Sequence, residues 1–408
     1  MKVSVTSEPP EANNTQDTLI GMAPLMTFAA SGGDLTPLAE SLLKHATGPE
    51  LQPGAIMDLS VMIELFGRRE TARTLQEKAL RLKQLYKLPA CRRPAIRLLA
   101  IKRTGPVAAN TPLEFLVAGS DIEVHLLYLG PGLRVPTELP EHDVMFVAIG
   151  GSDESLPSLR FMERMAPAWP VPVLNLPERI ALLARDSVSG LLQSIPGLVS
   201  PATSRVSRLS LERIGSGEDP TEFPIIVRPV DSHAGRGLIK MESAAAISDY
   251  LRIQPEEEFF IAPFVDYRSE DGLFRKYRIA LIDGLPYASH MAISDRWMIH
   301  YINAGMDKSA EKRAEEERFM DRFDQDFAYR HGNALQNIAR RIGLDYLVID
   351  CAETRDKQLL LFEADNSAIV HAMDRVETYP YKQSQMRRIS DAFRAMLLKA
   401  SRRGSSSS

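Results

Sequence analysis

Two apolar runs in the last third of the chain end in carboxylates. Leu344-Asp345-Tyr346-Leu347-Val348-Ile349-Asp350 reads as a buried strand closing on an acid, and Leu359-Leu360-Leu361-Phe362-Glu363 reads as its neighbour. Thr354-Arg355-Asp356-Lys357 between them has hairpin-turn composition. Pairing the strands predicts that Asp350, Glu363 and Asp365 or Asn366 gather at one sheet end. Such a set of hard oxygen donors suits Mg²⁺ or Mn²⁺, which recruit substrate phosphates to fill the coordination shell. Alternation along the strand puts Glu363 and Asp365 on one face, which favours Asp365 as donor. Asn366 takes that place if the strand ends early or bulges.

A magnesium site asks for a nucleotide, and a nucleotide asks for a phosphate cradle. Phe223-Pro224-Ile225-Ile226-Val227-Arg228-Pro229 reads as a strand, followed by the loop Val230-Asp231-Ser232-His233-Ala234-Gly235-Arg236-Gly237 and a second strand reaching Lys240. Small residues and glycines let backbone N–H groups approach phosphate oxygens, and Arg228 supplies fixed charge beside them. No Gly-Lys-Ser/Thr follows and no Gly-x-Gly-x-x-Gly turn opens a helix, so neither a P-loop nor a dinucleotide fingerprint is present. Taken alone, the loop equally describes an ordinary hairpin turn.

The ordered set of glycine loop, later arginine and carboxylate pair resembles the ATP-grasp superfamily, over residues 94–398. Members bind Mg-ATP between two α+β subdomains. Most are carboxylate ligases that work through an acyl-phosphate, the D-alanine–D-alanine and glutamate-tail ligases among them. The resemblance implies that residues 223–240 form the flexible phosphate loop, with His233, Gly235, Arg236 and Gly237 near the phosphates. It implies that Phe260, Ile261, Ala262 and Phe264 lie on the hinge strand that holds adenine by backbone groups. Arg278, in Lys276-Tyr277-Arg278-Ile279, would reach the phosphates and the reacting carboxylate, and Arg228 would share that catalytic work. Asp350, Glu363 and Asp365 or Asn366 match the metal ligands. Arg185 and Arg228 stand where the family usually has lysines; guanidinium keeps the charge and can bind phosphate bidentately. Where the family's last metal motif is Glu-x-Asn, Asp365 stands at the final position and Asn366 follows.

The implied activity is ATP-dependent, ADP-forming joining of a small-molecule or peptide carboxylate to an amine. A phosphotransferase on the same scaffold, or a non-catalytic adaptor with a relict nucleotide site, remain the alternatives. Many relatives are dimers, which leaves a homodimer open. His290, Asp295, His300, Asn303 and His371 invite a metal reading, but their spacing matches no zinc pattern. His371 and Asp374 directly follow the metal motif and are candidates for substrate recognition or proton transfer, as well as for plain turn hydrogen bonding.

These residues need a scaffold of more than one domain, and 408 residues allow two or three. The formal net charge of −4, with both signs interspersed, carries no nucleic-acid signature. Two cysteines, Cys91 and Cys351, argue against a disulfide scaffold and fit a reducing cytoplasm. No apolar run approaches the roughly 20 residues of a membrane span.

Along the chain, residues 1–20 read as a disordered arm. Residues 21–91 read as a helical extension. Ala72, Leu75, Ala79, Leu82 and Leu85 form one stripe, and the helix resembles part of a tetratricopeptide repeat, a surface for a protein partner or for docking on the next domain. Residues 92–199 alternate strand and helix, which predicts a small parallel sheet covered by helices, the α/β domain that precedes the ATP-grasp fold in relatives. Residues 194–220, rich in Ser, Gly and Pro, read as a linker into the ATP-grasp part, an α+β region over 200–400. Residues 311–319 read as a solvated charged helix, 383–399 as a closing helix and 401–408 as a flexible tail.

Overall fold

The computed structural model describes residues 17–232 and 235–405. The architecture is mixed α/β with three sheets, and the chain divides into two compact units. Of the described residues, the first comprises 17–181, 344–346 and 366–405, and the second 182–232, 235–343 and 347–365.

The first unit opens with helices α1 (Met22–Ala30), α2 (Thr36–Thr47), α3 (Pro53–Leu65) and α4 (Arg69–Leu82). Prolines sit in the first turn of α2 and α3, where their missing N–H has no helical partner to lose. Strand β1 (Leu85–Leu88) follows at once. The predicted helical stripe through Leu85 therefore stops at Leu82; Lys83 is extended, and β1 pairs antiparallel with β3 (Ile122–Leu129). Strand β2 (Ile96–Arg103) and helix α5 (Leu113–Val117) precede β3, and β4 (Val144–Val147), α6 (Leu156–Met165), β5 (Val173–Leu174) and α7 (Pro177–Ile180) succeed it. The sheet order is β1-β3-β2-β4-β5, parallel from β3 to β5 as the alternating pattern predicts. Strands in such a sheet are covered on both faces, and Leu98, Leu99, Ala100 and Ile101 of β2 are accordingly all fully buried.

The disordered arm expected over 1–20 is corrected at its end. Thr18 bridges Lys87, Leu19 N–H donates to Lys87 O at 3.0 Å, and the Asp58 carboxylate accepts from the N–H groups of Ile20 (2.8 Å) and Gly21 (3.0 Å). Apolar Leu19 and Ile20 are buried there, and a buried acceptor on α3 satisfies the backbone they bring in. Residues 1–16 lie outside the described residues.

The second unit begins with α8 (Arg185–Leu192), β6 (Leu198–Val199), β7 (Ser204–Ser207) and α9 (Arg208–Ser216). The predicted linker is thus largely ordered structure. Both strands are short and each lies at a sheet edge, the two-residue apolar β6 beside β14 and the polar β7 beside β10. Helix α9 starts where the Ser207 side chain accepts the Ser210 N–H and stops at Gly217 in the left-handed region. Next come β8 (Ile225–Pro229), β9 (Ile239–Met241), α10 (Ala245–Ile253) and β10 (Glu258–Pro263). These form the four-stranded sheet β7-β10-β8-β9, whose core joins Leu211 and Ile214 of α9 to Ile247 and Tyr250 of α10 over Ile225, Val227 and Phe259.

The remaining elements are β11 (Phe274–Ile282), β12 (Leu285–Ser294), α11 (Ala310–Asp321), α12 (Phe327–Arg330), α13 (Gly332–Ile342), β13 (Tyr346–Glu353) and β14 (Leu359–Asp365). They build the sheet β12-β11-β13-β14-β6. Helix α11 is less solvated than its charges predict. Glu316 is fully buried, accepting from Met291 N–H on edge strand β12 (3.0 Å) and from the Tyr301 hydroxyl (3.0 Å). The chain closes in the first unit with α14 (Lys382–Ser405), so residues 401–405 of the predicted flexible tail are helical; residues 406–408 lie outside the described residues. Among the described residues no helix is long and apolar enough to cross a membrane.

Candidate functional site

The β13–β14 hairpin sets Asp350 directly opposite Glu363, and Val348 opposite Asp365. A bulge between Asp350 and Cys351 follows, so that Cys351 faces Leu361 and Phe362 is the extra residue. The hairpin forms because its apolar runs are fully buried while Thr354 and Lys357 close the turn, with Lys357 at φ 58°. Facing residues of an antiparallel pair share a face, so the alternation expected from sequence holds for Asp350, Glu363 and Asp365.

Strand β11 lies on the other side of β13 and brings Lys276 and Arg278 to Asp350. Arg278 grips the carboxylate with both ends of its fork, Nε to Oδ1 at 2.7 Å and Nη2 to Oδ2 at 3.0 Å, and Lys276 Nζ lies 2.6 Å from Oδ2. Residues 276 and 278 are two apart and point the same way; Arg275 points oppositely and pairs with Asp271 and Glu315. Arg185, the first residue of α8, pairs with Glu363 and also donates to Phe362 O at 3.0 Å. Arg228 on β8 is buried, and its guanidinium donates to the Ser232 hydroxyl from Nε at 3.2 Å and from Nη2 at 3.1 Å, and to the Ser232 carbonyl.

These charges set one another's protonation. Burial alone would push the Asp350 carboxyl up, but Arg278 and Lys276 more than offset it and hold it well below the usual range. Burial opposes Glu363 in the same way, and Arg185, seconded by Arg228 and Lys276, brings it down. Arg228 is lowered to about 10 by its burial and by the like charge of Arg185. Burial weakens the Arg278 proton, yet Asp350 raises its hold above the ordinary value. Both acids are therefore ionised and each is met by fixed positive charge.

The glycine loop is a β8–β9 hairpin. Gly235 and Gly237 both occupy the left-handed region, at φ 70° and 67°. A Cβ on Gly235 would lie 2.3 Å from His300 Nε2, and one on Gly237 would lie 2.7 Å from Pro229 Cδ, so both positions exclude side chains by contact as well as by conformation. Arg236 is exposed, 3.7 Å from Glu256; His233 lies outside the described residues. His300 was noted in the sequence only as an unpatterned histidine. Its ring against Gly235, and the downward push on its proton by burial and by Lys276, bring it into the electrostatic reach of this cluster.

The expected hinge strand is β10, and part of that expectation is corrected. Phe260 and Ile261 pair with both β7 and β8, which occupies their backbone groups; the β7 side opens only from Ala262 onward. Phe264 N–H donates to Pro224 O at 3.0 Å, and Lys240 Nζ lies 4.1 Å from the Phe264 ring centroid.

The Asn366 side-chain amide is taken up by backbone groups. It belongs to the first unit, fully buried, where Nδ2 donates to Ile149 O at 2.8 Å and Oδ1 accepts from Gly151 N–H at 3.2 Å. His371 and Asp374 are in the first unit too: His371 Nδ1 accepts from Met373 N–H at 3.2 Å, and Asp374 meets the buried Lys382 ammonium at 3.0 Å. Sequence reasoning missed Lys276 as a partner of Asp350, although its alternation with Arg278 carried the signal. It also missed Ser232, whose role depends on a loop turning back on Arg228.

Among the described residues no group of three or more His, Cys, Asp or Glu forms a metal cage. The donor set present is a facing pair of ionised carboxylates. That suits a cation of the Mg²⁺ class, which takes one or two protein carboxylates and completes its shell with phosphates and water.

No family model matches the chain, and no curated protein matches its sequence. Among solved structures it is similar to the D-alanine–D-alanine ligase of Bacillus anthracis complexed with ATP, at 11% identity and a TM-score of 0.46, covering 76% of this chain and 99% of that one. It is also similar to the D-Ala:D-Ser ligase VanG of Enterococcus faecalis, at 13% identity and a TM-score of 0.46, covering 75% of this chain and 100% of that one. A third is a RimK domain ATP-grasp protein of Sphaerobacter thermophilus, at 12% identity and a TM-score of 0.41, covering 74% of this chain and 99% of that one.

Proposed function

We propose that the chain is an ATP-dependent, ADP-forming ligase that joins a carboxylate to an amine through an acyl-phosphate. The observation that carries this reading is the facing pair Asp350 and Glu363, kept ionised and ringed by Arg278, Lys276 and Arg185 in the same unit as a glycine-bearing hairpin. Structural acids at a strand end do not call for so much fixed positive charge. A nucleotide triphosphate with its cation does, because phosphoryl transfer is catalysed chiefly by positioning and by charge.

In this reading the facing pair Asp350 and Glu363 would hold Mg²⁺ or Mn²⁺, and the cation would supply charge neutralisation on the nucleotide phosphates that complete its shell. Arg278 exchanges part of its grip on Asp350 for the transferring phosphoryl group and the substrate carboxylate. Arg185 and Arg228 contact the other phosphate oxygens bidentately. The hairpin at Gly235 and Gly237 covers them with backbone N–H groups, since no side chain stands in the way there. Ala262, at the open edge of β10, is where an adenine finds free backbone groups. The substrate carboxylate oxygen attacks the γ-phosphorus and ADP leaves; the amine then attacks the acyl carbon, phosphate leaves and the amine loses a proton. Exclusion of water protects the intermediate from hydrolysis.

The test is calorimetry of Mg-ATP binding, followed by a screen of amino acids and peptides in pairs with mass detection of products. A ligase gives ADP, free phosphate and a new amide in equal amounts. A phosphorylated product without free phosphate indicates the phosphotransferase instead. In a non-catalytic adaptor, the second reading, the same cations would hold both acids without giving way to a nucleotide. Failure to bind Mg-ATP selects that second reading.

A further inference from the structure

The buried Asp350 carboxylate holds more positive charge than its burial requires. The Arg278 fork alone reaches both oxygens, Nε to Oδ1 at 2.7 Å and Nη2 to Oδ2 at 3.0 Å, and a bidentate guanidinium compensates one carboxylate. Lys276 Nζ nevertheless lies 2.6 Å from Oδ2, with 20% of its side chain accessible. Drawing a second cation out of water toward an acid that is already paired costs desolvation that the contact does not return in full. The same charges reach Glu363, which pairs with Arg185 and is also acted on by Arg228 and Lys276. The acids Asp350, Glu363 and Asp365 are thus outnumbered by Lys276, Arg278, Arg185 and Arg228.

Phosphoryl transfer gives the surplus a use. When Arg278 turns to a phosphoryl group, Asp350 remains buried, and a buried charge left without a partner is strongly destabilising. The Lys276 ammonium, a compact point charge with three donors, can stay on Oδ2 and keep the acid compensated. It also fills an oxygen that a second divalent ion needs. Phosphoryl-transfer sites hold either one ion or a pair, and the members of a pair lie about 3.5–4 Å apart between common oxygen donors. With Oδ2 of Asp350 taken by Lys276, and Glu363 shared with Arg185, the facing acids leave donors for one ion and not for two.

Within the nucleotide reading, on which this rests, we propose that Lys276 is a built-in second cation: its ammonium takes the place of a second divalent ion on Asp350, so that the site works with a single Mg²⁺ or Mn²⁺. The test loads the full chain with Mn²⁺ and a non-hydrolysable ATP analogue carrying a β,γ-imido bridge, and reads bound Mn²⁺ by electron paramagnetic resonance. The native chain is expected to bind one Mn²⁺, with the spectrum of an isolated ion. Lys276→Met keeps much of the side-chain length, removes the charge and leaves Arg278 on Asp350. It is expected to bind two Mn²⁺, with the broadened spectrum of a spin-coupled pair. Lys276→Arg restores the charge and is expected to return the count to one. Melting temperatures check that each variant is folded, and the native count decides by itself even where Lys276→Met does not fold. A coupled pair in the native chain, or a single ion in folded Lys276→Met, overturns the role of Lys276 and leaves the nucleotide reading standing. If the native chain binds neither the analogue nor Mn²⁺, the nucleotide reading falls, and the role of Lys276 with it.

Discussion

Arg278 and Asp350 meet fork to carboxylate between neighbouring strands β11 and β13, at 2.7 and 3.0 Å, and Lys276 closes on the same carboxylate at 2.6 Å. The carboxylate is buried, so its charge depends on both cations. Asp350→Asn keeps the shape and removes the charge, leaving two cations facing each other without a counter-ion. The expected loss is about 3 kcal/mol of unfolding free energy, in line with stripping one partner from a buried ion pair. Urea denaturation measures it, and a loss below about 1 kcal/mol, the range of an exposed pair, means the cluster is wetter than its geometry indicates.

Glu363 separates function from stability better. Its pair with Arg185 is half-exposed, with side chains 24% and 35% accessible, so Glu363→Ala costs about 1 kcal/mol or less. In the proposed ligase the same change removes a metal ligand and abolishes ADP release at saturating substrate. Turnover close to that of the unaltered chain, with the melting temperature preserved, excludes Glu363 from the chemistry.

The hairpin carrying these acids was legible because two uninterrupted apolar runs flank one turn, and strand period then fixes which side chains share a face. The parallel order of the first sheet followed instead from the alternation of strand and helix over residues 92–199. Strand β1 was not legible: the spacing of Ala72, Leu75, Ala79 and Leu82 continues onto Leu85, and only pairing with β3 ends the helix. Strand β6 escaped because two residues are too few to show a period, and β7 because a polar edge strand lacks an apolar signature. Asn366 stood beside the acids in sequence, but its amide is claimed by Ile149 and Gly151, more than 200 positions away in the chain. Local pattern carries no trace of such a contact.

Asp58 gives the first unit a pH dependence opposite to that of the acid cluster. Burial pushes its carboxyl up to about 7, against the pull of the Ile20 and Gly21 N–H groups. Between its ordinary range near 4 and about 7, the folded chain holds a proton at this site that the unfolded chain has released. Stability from this group is therefore full below pH 4 and falls as pH rises through about 7. Denaturation midpoints should show that falling limb in the native chain and lose it in Asp58→Asn. Amide exchange at Ile20 and Gly21 should speed up in the variant, because one of the two N–H groups then faces an amide NH₂ instead of an acceptor. A limb that persists in Asp58→Asn assigns it to another group.

Gly235 and His300 provide the sharpest test of the hairpin as a phosphate cover. Gly235→Ala introduces two separable penalties, a left-handed φ worth about 1–2 kcal/mol and a Cβ 2.3 Å from the His300 ring. The clash falls on the far end of a side chain, so it is relieved by moving or removing that ring, whereas the φ cost stays. Gly235→Ala should weaken Mg-ATP binding, and adding His300→Ala should restore part of the loss. The double-mutant cycle then yields a coupling of about 1 kcal/mol for residues in direct contact. Additive effects indicate that the hairpin stands away from His300 when nucleotide binds. In that case the ring shields an empty site and takes no part in holding a filled one.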